Sequence, residues 1–122
     1  MYELTVQTTF SAAHHLLDYS GACRRIHGHN WKVKASLQAS QLNEKGMVFD
    51  LMEFQRILNT CVQQFDHRMI NEVPPFDRIN PTSEHLARII FEWMSEHLPA
   101  NLRLTEIRVA ETDDYSVVYT PE

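Results

Sequence analysis

Only two cysteines occur in 122 residues. That is too few for a disulfide scaffold, so a reducing, cytoplasmic compartment is expected. No apolar run approaches the roughly 20 residues a membrane-spanning helix needs, and the N-terminus lacks a signal-peptide pattern, so no membrane partner is expected. Positive charge is also short: 11 Lys and Arg face 16 Asp and Glu, a net charge of −5. Nucleic-acid binding wants a basic surface, and none is expected here. Repeats, low-complexity tracts and linker-like stretches are missing, so residues 1–122 should form one domain. What the chain has in excess is histidine: seven in all, with His14, His15, His27 and His29 close together.

The first stretch, Tyr2 to Phe10, alternates apolar and polar residues with period two and reads as a half-buried strand. Its inward parity (Tyr2, Leu4, Val6, Phe10) continues to Ala12 and His14, placing a histidine on the core side as the strand ends. Residues 17–22 read as a loop. A second strand runs from His27 to about Ala39, where His27, His29, Trp31, Val33, Ala35 and Leu37 share one parity. Side chains at i and i+2 of a strand share a face with Cα atoms roughly 6.5–7 Å apart, so His27 and His29 can converge on one ion. Gly28 between them fits a close approach of backbone or ligand.

Residues 40–46 form a polar turn. Asp50 then caps a helix, with Glu53 placed as in a capping box. Leu51, Phe54, Leu58, Cys61 and Phe65 make its apolar stripe. Asp66 and His67 lie where that helix ends. Asn80 as cap with Pro81 at the first helical position starts a second helix. Its stripe is Leu86, Ile90, Trp93 and Met94, and it stops before Pro99. Leu104 to Glu111 and Tyr115 to Thr120 are the last two strands. The order β-β-α-α-β-β predicts an α+β fold: a four-stranded antiparallel sheet with both helices on one face. Its uncovered edges point to oligomerisation.

Each chemically suggestive residue has a plain alternative. His27 and His29 would read as polar residues opening a strand were it not for His14, which reaches the inward parity of a neighbouring strand. Three imidazoles with one open position is the pattern of catalytic zinc. His15 has the opposite parity and is not expected to bind. Two readings of Cys23 stay open, a zinc ligand or a reactive thiol beside Arg24 and Arg25, where a thiolate is favoured. Cys61, on a helical stripe, reads as inert core. Asp66-His67 is either a polar helix terminus or a carboxylate orienting a proton-carrying imidazole. Glu111 follows Thr105, Ile107 and Val109 on one parity, so it either pairs with an internal cation or awaits a ligand with donors.

Taken in order, Phe10-x-Ala12-Ala13-His14, Cys23-x3-His27-Gly28-His29, Gly46-Met47-Val48-Phe49-Asp50, Asp66-His67, Asn80-Pro81-Thr82-Ser83-Glu84 and Ala110-Glu111-Thr112 resemble the 6-pyruvoyl-tetrahydropterin synthase / 6-carboxy-tetrahydropterin synthase family over essentially the whole chain. The resemblance implies zinc held by His14, His27 and His29, a catalytic Cys23, and a proton relay of Asp66 and His67. It implies that Glu111 anchors the pterin ring, with a share in the relay in some members, and that Thr82 and Ser83 line the pterin pocket. It also implies the tunnelling fold, in which trimers close their sheets into a barrel and stack as a hexamer with sites between subunits.

The implied substrate is 7,8-dihydroneopterin triphosphate. Arg24 or Arg25, and Arg25 in the first place, would give an acidic chain the local positive charge to meet the triphosphate, two solvated arginines being the alternative. Subfamilies that cleave dihydroneopterin for folate carry a glutamate near the cysteine; here Arg24 and Arg25 follow instead. The short length looks like the bacterial 6-carboxy-5,6,7,8-tetrahydropterin synthases of the queuosine (7-deazaguanine) pathway, which release acetaldehyde and triphosphate. The closest rival keeps the carbon skeleton and makes 6-pyruvoyl-tetrahydropterin. A non-enzymatic zinc protein would need a closed four-ligand site including Cys23 and leaves Glu111 unexplained. One departure from the family pattern is Ala110, where a basic residue often precedes the glutamate.

Overall fold

The alternation of the first stretch carries through to its last residue: β1 (Tyr2–His14) is a continuous strand, and Val6, Phe10, Ala12 and His14 are its buried positions. β2 (His27–Ala39) pairs with it antiparallel over the full length, from Tyr2 opposite Ala39 to His14 opposite His27. The computed structural model describes residues 1–17, 21 and 24–122. Among these, α1 (Leu51–Val62), β3 (Arg68–Met69), α2 (Ser83–His97), β4 (Arg103–Ala110) and β5 (Ser116–Tyr119) complete an α+β fold. No helix among the described residues is long and apolar enough to cross a membrane.

The sheet has five strands in the order β3-β1-β2-β4-β5 and is mixed, not the four-stranded antiparallel sheet expected. The extra strand is β3, parallel to β1 through Ala12 opposite Arg68 and Ala13 opposite Met69. Its cause lies at the end of α1. His67 adopts a left-handed backbone with φ 58°, its N–H donates to the Ser11 carbonyl at 2.6 Å, and Asp66 Oδ1 accepts from the Ser11 N–H at 2.9 Å. The chain is thereby laid along the β1 edge long enough for two residues to pair.

α1 packs on β1, α2 on β4 and β5, and the helices on each other. The core between them and the sheet holds Trp31, Val33, Ala35 and Leu37 of β2 with no solvent exposure. Trp31 stacks on Phe10 with ring centroids 6.0 Å apart and donates its indole N–H to the Ala12 carbonyl at 3.1 Å. Burying such large aromatic surfaces is the main source of stability in a chain this small. The opposite face of the sheet is polar, with Thr5 bonded to Ser36 and Ser11 to Asn30.

Local details depart from expectation at four places. Asp50 caps α1 by accepting from the Met52 N–H, but Glu53 pairs with Arg56 and does not close a capping box. Leu51 and Met52 of the first turn are exposed. α2 begins at Ser83 with Thr82 as its cap, not with Asn80 and Pro81, because the Asn80 side chain is used elsewhere: its Oδ1 accepts from the Leu17 N–H and its Nδ2 donates to the Leu17 carbonyl. Finally, β2 and β4 slip register between Ser36 and Leu37. Thr105 is set aside there with its hydroxyl on the Ser36 carbonyl, so Leu104 turns inward with Ile107 and Val109.

Candidate active site

The antiparallel register brings the three predicted histidines together. His14 ends β1 directly opposite His27, which opens β2, and His29 follows two residues on, opposite Ala12. Ring centroids lie 4.6 Å apart for His14 and His27, 5.2 Å for His14 and His29, and 4.9 Å for His27 and His29. One nitrogen from each ring falls within 4.8 Å of the others.

Hydrogen bonds on the far side of two rings decide which nitrogen faces the centre. His14 Nδ1 lies 2.9 Å from the Pro81 carbonyl and His27 Nδ1 lies 2.7 Å from the Arg25 carbonyl. A carbonyl only accepts, so each Nδ1 carries a proton, and in the neutral ring this leaves the lone pair on Nε2. Carbonyl support of this kind orients imidazole ligands of metals. The Nε2 atoms of His14 and His29 are buried with no hydrogen-bond partner. Burial pushes the pKa of His14 down against the raising effect of the Pro81 bond, and burial likewise lowers that of His29 against the raising effect of nearby Glu111. Neutral imidazoles with orphaned, converging lone pairs are what a metal ion binds. These three residues can hold one.

Glu111 sits just past the end of β4 beside this cluster. Its Oε1 accepts from the Ser83 hydroxyl at 2.6 Å, and its Oε2 lies 3.7 Å from His29 Nε2. The carboxylate that sequence parity placed on the inner face therefore stands between the first residue of α2 and a candidate metal ligand. Thr82 uses its hydroxyl as the α2 cap, accepting from the His85 N–H at 3.1 Å.

Asp66 and His67 form a pair, with Oδ1 and Nδ1 3.0 Å apart and His67 81% exposed. The Ser11 N–H, ahead of His67, holds the Asp66 carboxyl below the usual range. His67 opens on a cleft of about 470 Å³ shared with Ser11, Ala13, Asn30, Arg68 and His29. The three-histidine cluster itself contains neither Asp66 nor His67. Arg25 is exposed, and what it gives the cluster is its carbonyl. Cys23 lies outside the described residues. Cys61 is buried, its thiol pushed up to about 12 by burial.

Two asparagines at the site were not anticipated. Asn71 bonds the N–H and the carbonyl of His15, both at 3.0 Å, and Asn80 bonds both groups of Leu17. Together they fasten the chain leaving His14. Asn80 was visible in the sequence as a helix cap, and nothing in its neighbours signalled the other use.

Comparison with known proteins identifies the family. The family model described as 6-pyruvoyl tetrahydropterin synthase matches residues 3–122. A protein of Archaeoglobus fulgidus provisionally named 6-carboxy-5,6,7,8-tetrahydropterin synthase is 37% identical over 109 residues, covering 89% of this chain and 87% of its own. The 6-pyruvoyl tetrahydrobiopterin synthase of Poecilia reticulata is 32% identical over 133 residues, covering 98% and 90%. The solved structure of Caenorhabditis elegans 6-pyruvoyl tetrahydropterin synthase superposes with a TM-score of 0.86 at 26% identity, covering 99% of this chain and 96% of the other. With the model matched almost end to end and a relative above 30% identity across most of the chain, the protein belongs to the 6-pyruvoyl tetrahydropterin synthase family.

Proposed function

We propose that the protein converts 7,8-dihydroneopterin triphosphate to 6-carboxy-5,6,7,8-tetrahydropterin, releasing acetaldehyde and triphosphate, in queuosine (7-deazaguanine) biosynthesis. The observation that carries the reading is the cluster of three imidazoles, two of them (His14 and His29) with orphaned Nε2 atoms, beside a carboxylate. His14, His27 and His29 would hold a zinc ion, and its chemistry there would be Lewis acidity toward the oxygens of the substrate side chain. Glu111 offers two oxygens to the ring N–H and amino group of the pterin and fixes the ring's position. Cys23, in the role the family resemblance gives it, removes protons along the side chain as its thiolate. His67 returns them, oriented through Nδ1 by Asp66, whose lowered pKa keeps it an acceptor. Arg25, exposed at the rim, would meet the triphosphate.

His67 lines the exposed cleft with Ser11, Ala13 and Asn30, whereas His14 is buried with its Nδ1 on the Pro81 carbonyl. That arrangement suits a site completed by a neighbouring subunit. At one border of the sheet β3 covers only Ala12 and Ala13 of β1, and β5 is the other border. Both support a barrel-forming homohexamer, a dimer of trimers. A second reading, 6-pyruvoyl-tetrahydropterin formation without carbon–carbon cleavage, is favoured by the relative of that name from Poecilia reticulata. The likeness to the relative from Archaeoglobus fulgidus supports the carboxy product. The test is incubation of the zinc-loaded protein with 7,8-dihydroneopterin triphosphate. Stoichiometric acetaldehyde is expected. Triphosphate release without acetaldehyde would select the pyruvoyl reading, and loss of neither group would overturn both.

A further inference from the structure

We propose that the cleft beside His67 seats the triphosphate arm of the substrate, with the Arg68 guanidinium and the Asn30 amide as its donors. This rests on the reading of His67 as the proton carrier. The triphosphate is borne by the same side chain that His67 protonates, so the anion lies a few bonds from the atoms His67 serves. Groups that line the cleft with His67 are therefore the ones placed to meet it.

Strand register builds the hollow. Across β1 and β2, Ala13 pairs with Gly28 and Ser11 with Asn30, while β3 brings Arg68 opposite Ala12 on the other side of β1. Ala13 and Gly28 carry almost no bulk, and the cleft they help to line holds about 470 Å³, an ordinary size for a small-molecule site. Gly28 lacks the positive φ that would demand glycine. A Cβ built there would lie 3.7 Å from the Ala12 carbonyl oxygen, an ordinary contact. Neither backbone conformation nor close chain packing calls for glycine here, so the missing side chain serves the open cleft.

The lining is rich in donors and contains no carboxylate. The Ser11 hydroxyl donates to Asn30 Oδ1 at 2.7 Å, which fixes the amide and leaves both N–H groups of Nδ2 to give. Arg68 is exposed and, among the described residues, enters no ion pair. Asp66, next to His67 in the chain, already accepts from the Ser11 N–H and pairs with His67 Nδ1. In a chain of net charge −5, a hollow with a free guanidinium and no acid attracts a polyanion where most of the surface repels one.

The experiment is calorimetric titration of the zinc-loaded protein with inorganic triphosphate, with zinc retention checked afterwards, alongside turnover of 7,8-dihydroneopterin triphosphate. Arg68→Gln removes one charge-assisted contact at an exposed site and should weaken triphosphate about tenfold. KM should rise by a similar factor with kcat unchanged, the mark of lost binding common to ground and transition states. Binding of neopterin, which carries no phosphate, should stay within about twofold. Arg68→Lys keeps a point charge and should recover part of the affinity. Asn30→Asp keeps the shape and the bond from Ser11 but adds a negative charge, and should cost at least as much as Arg68→Gln. Wild-type triphosphate affinity in Arg68→Gln, or a loss seen only in Arg25→Gln, would overturn the proposal. So would an equal loss of neopterin binding, which would make Arg68 structural. If the wild type binds triphosphate through Arg68 yet turns over no 7,8-dihydroneopterin triphosphate, the functional reading fails and the anion cleft stands.

Discussion

Replacing His29 with leucine should make the metal-free protein more stable and remove its response to zinc. In the metal-free chain His29 Nε2 is buried without a hydrogen-bond partner, and the carboxylate oxygen 3.7 Å away is out of bonding range. A buried polar atom left unpartnered costs about 1–3 kcal/mol. Leucine removes that cost but loses the edge contacts of the ring with Trp31 at 5.1 Å and His27 at 4.9 Å between centroids. Imperfect replacement of a packed side chain of similar size costs up to about 1.5 kcal/mol. The net is a gain on the order of 1 kcal/mol, which for a chain of 122 residues is a rise in Tm of roughly 4 °C. The wild-type protein should gain about 2.7 kcal/mol from zinc at a hundred times its dissociation constant, and the variant should gain almost none. Differential scanning calorimetry with chelator, then with added zinc, reads both effects. A metal-free variant melting several degrees below metal-free wild type would show that the imidazole's packing outweighs its orphaned nitrogen. An undiminished zinc response would remove His29 from the ligand set.

Three further outcomes are expected. Cys23→Ala should keep zinc content and fold while losing turnover, and X-ray absorption of the wild type should show no sulfur on the zinc; a sulfur ligand would reassign Cys23. In that variant the one remaining thiol, Cys61, is buried and pushed up to about 12, so a thiol reagent at pH 8 should leave it unmodified until the protein unfolds, and fast labelling would contradict its burial. Asp66 is lowered chiefly by the Ser11 N–H, so its stabilisation is full above the ordinary carboxylate pKa and fades as pH falls through the lower folded value. Asp66→Asn keeps an acceptor but cannot titrate, and should flatten the acid limb of the stability curve; parallel acid limbs would refute this.

Period-two patterning carried β1 to His14 and β2 from His27, and cross-strand register did the rest for the ligand cluster. Residues adjacent in a register are legible because alternation fixes their faces. β3 was not legible, since two residues carry no period and their pairing follows from the turn at His67. The start of α2 was misplaced because Asn80 has equal chemistry for capping a helix and for clasping Leu17, and only the tertiary partner decides. Parity put Glu111 on the inner face correctly, yet the bond from Ser83 joins positions 28 apart on different elements. The slip at Thr105 left no trace either, because a threonine suits a strand or a bulge equally well.

The imidazoles of His14 and His27 are steered by the carbonyls of Pro81 and Arg25, and no point substitution can delete a main-chain carbonyl. Metal binding is thus insulated from changes in the very residues that support it: replacing the side chain of Arg25 or Pro81 leaves the acceptor in place. Mutational fragility is passed outward, to the side chains that hold this backbone where it is. Asn80 and Asn71, which grip Leu17 and His15 by both peptide groups, are such positions. An aspartate there would turn an acceptor toward a carbonyl, and a glutamine is one methylene too long to bond the same pair from the same backbone. In a saturation scan, the residues bonded to the ligands should tolerate change, while two asparagines that touch no metal should tolerate almost none.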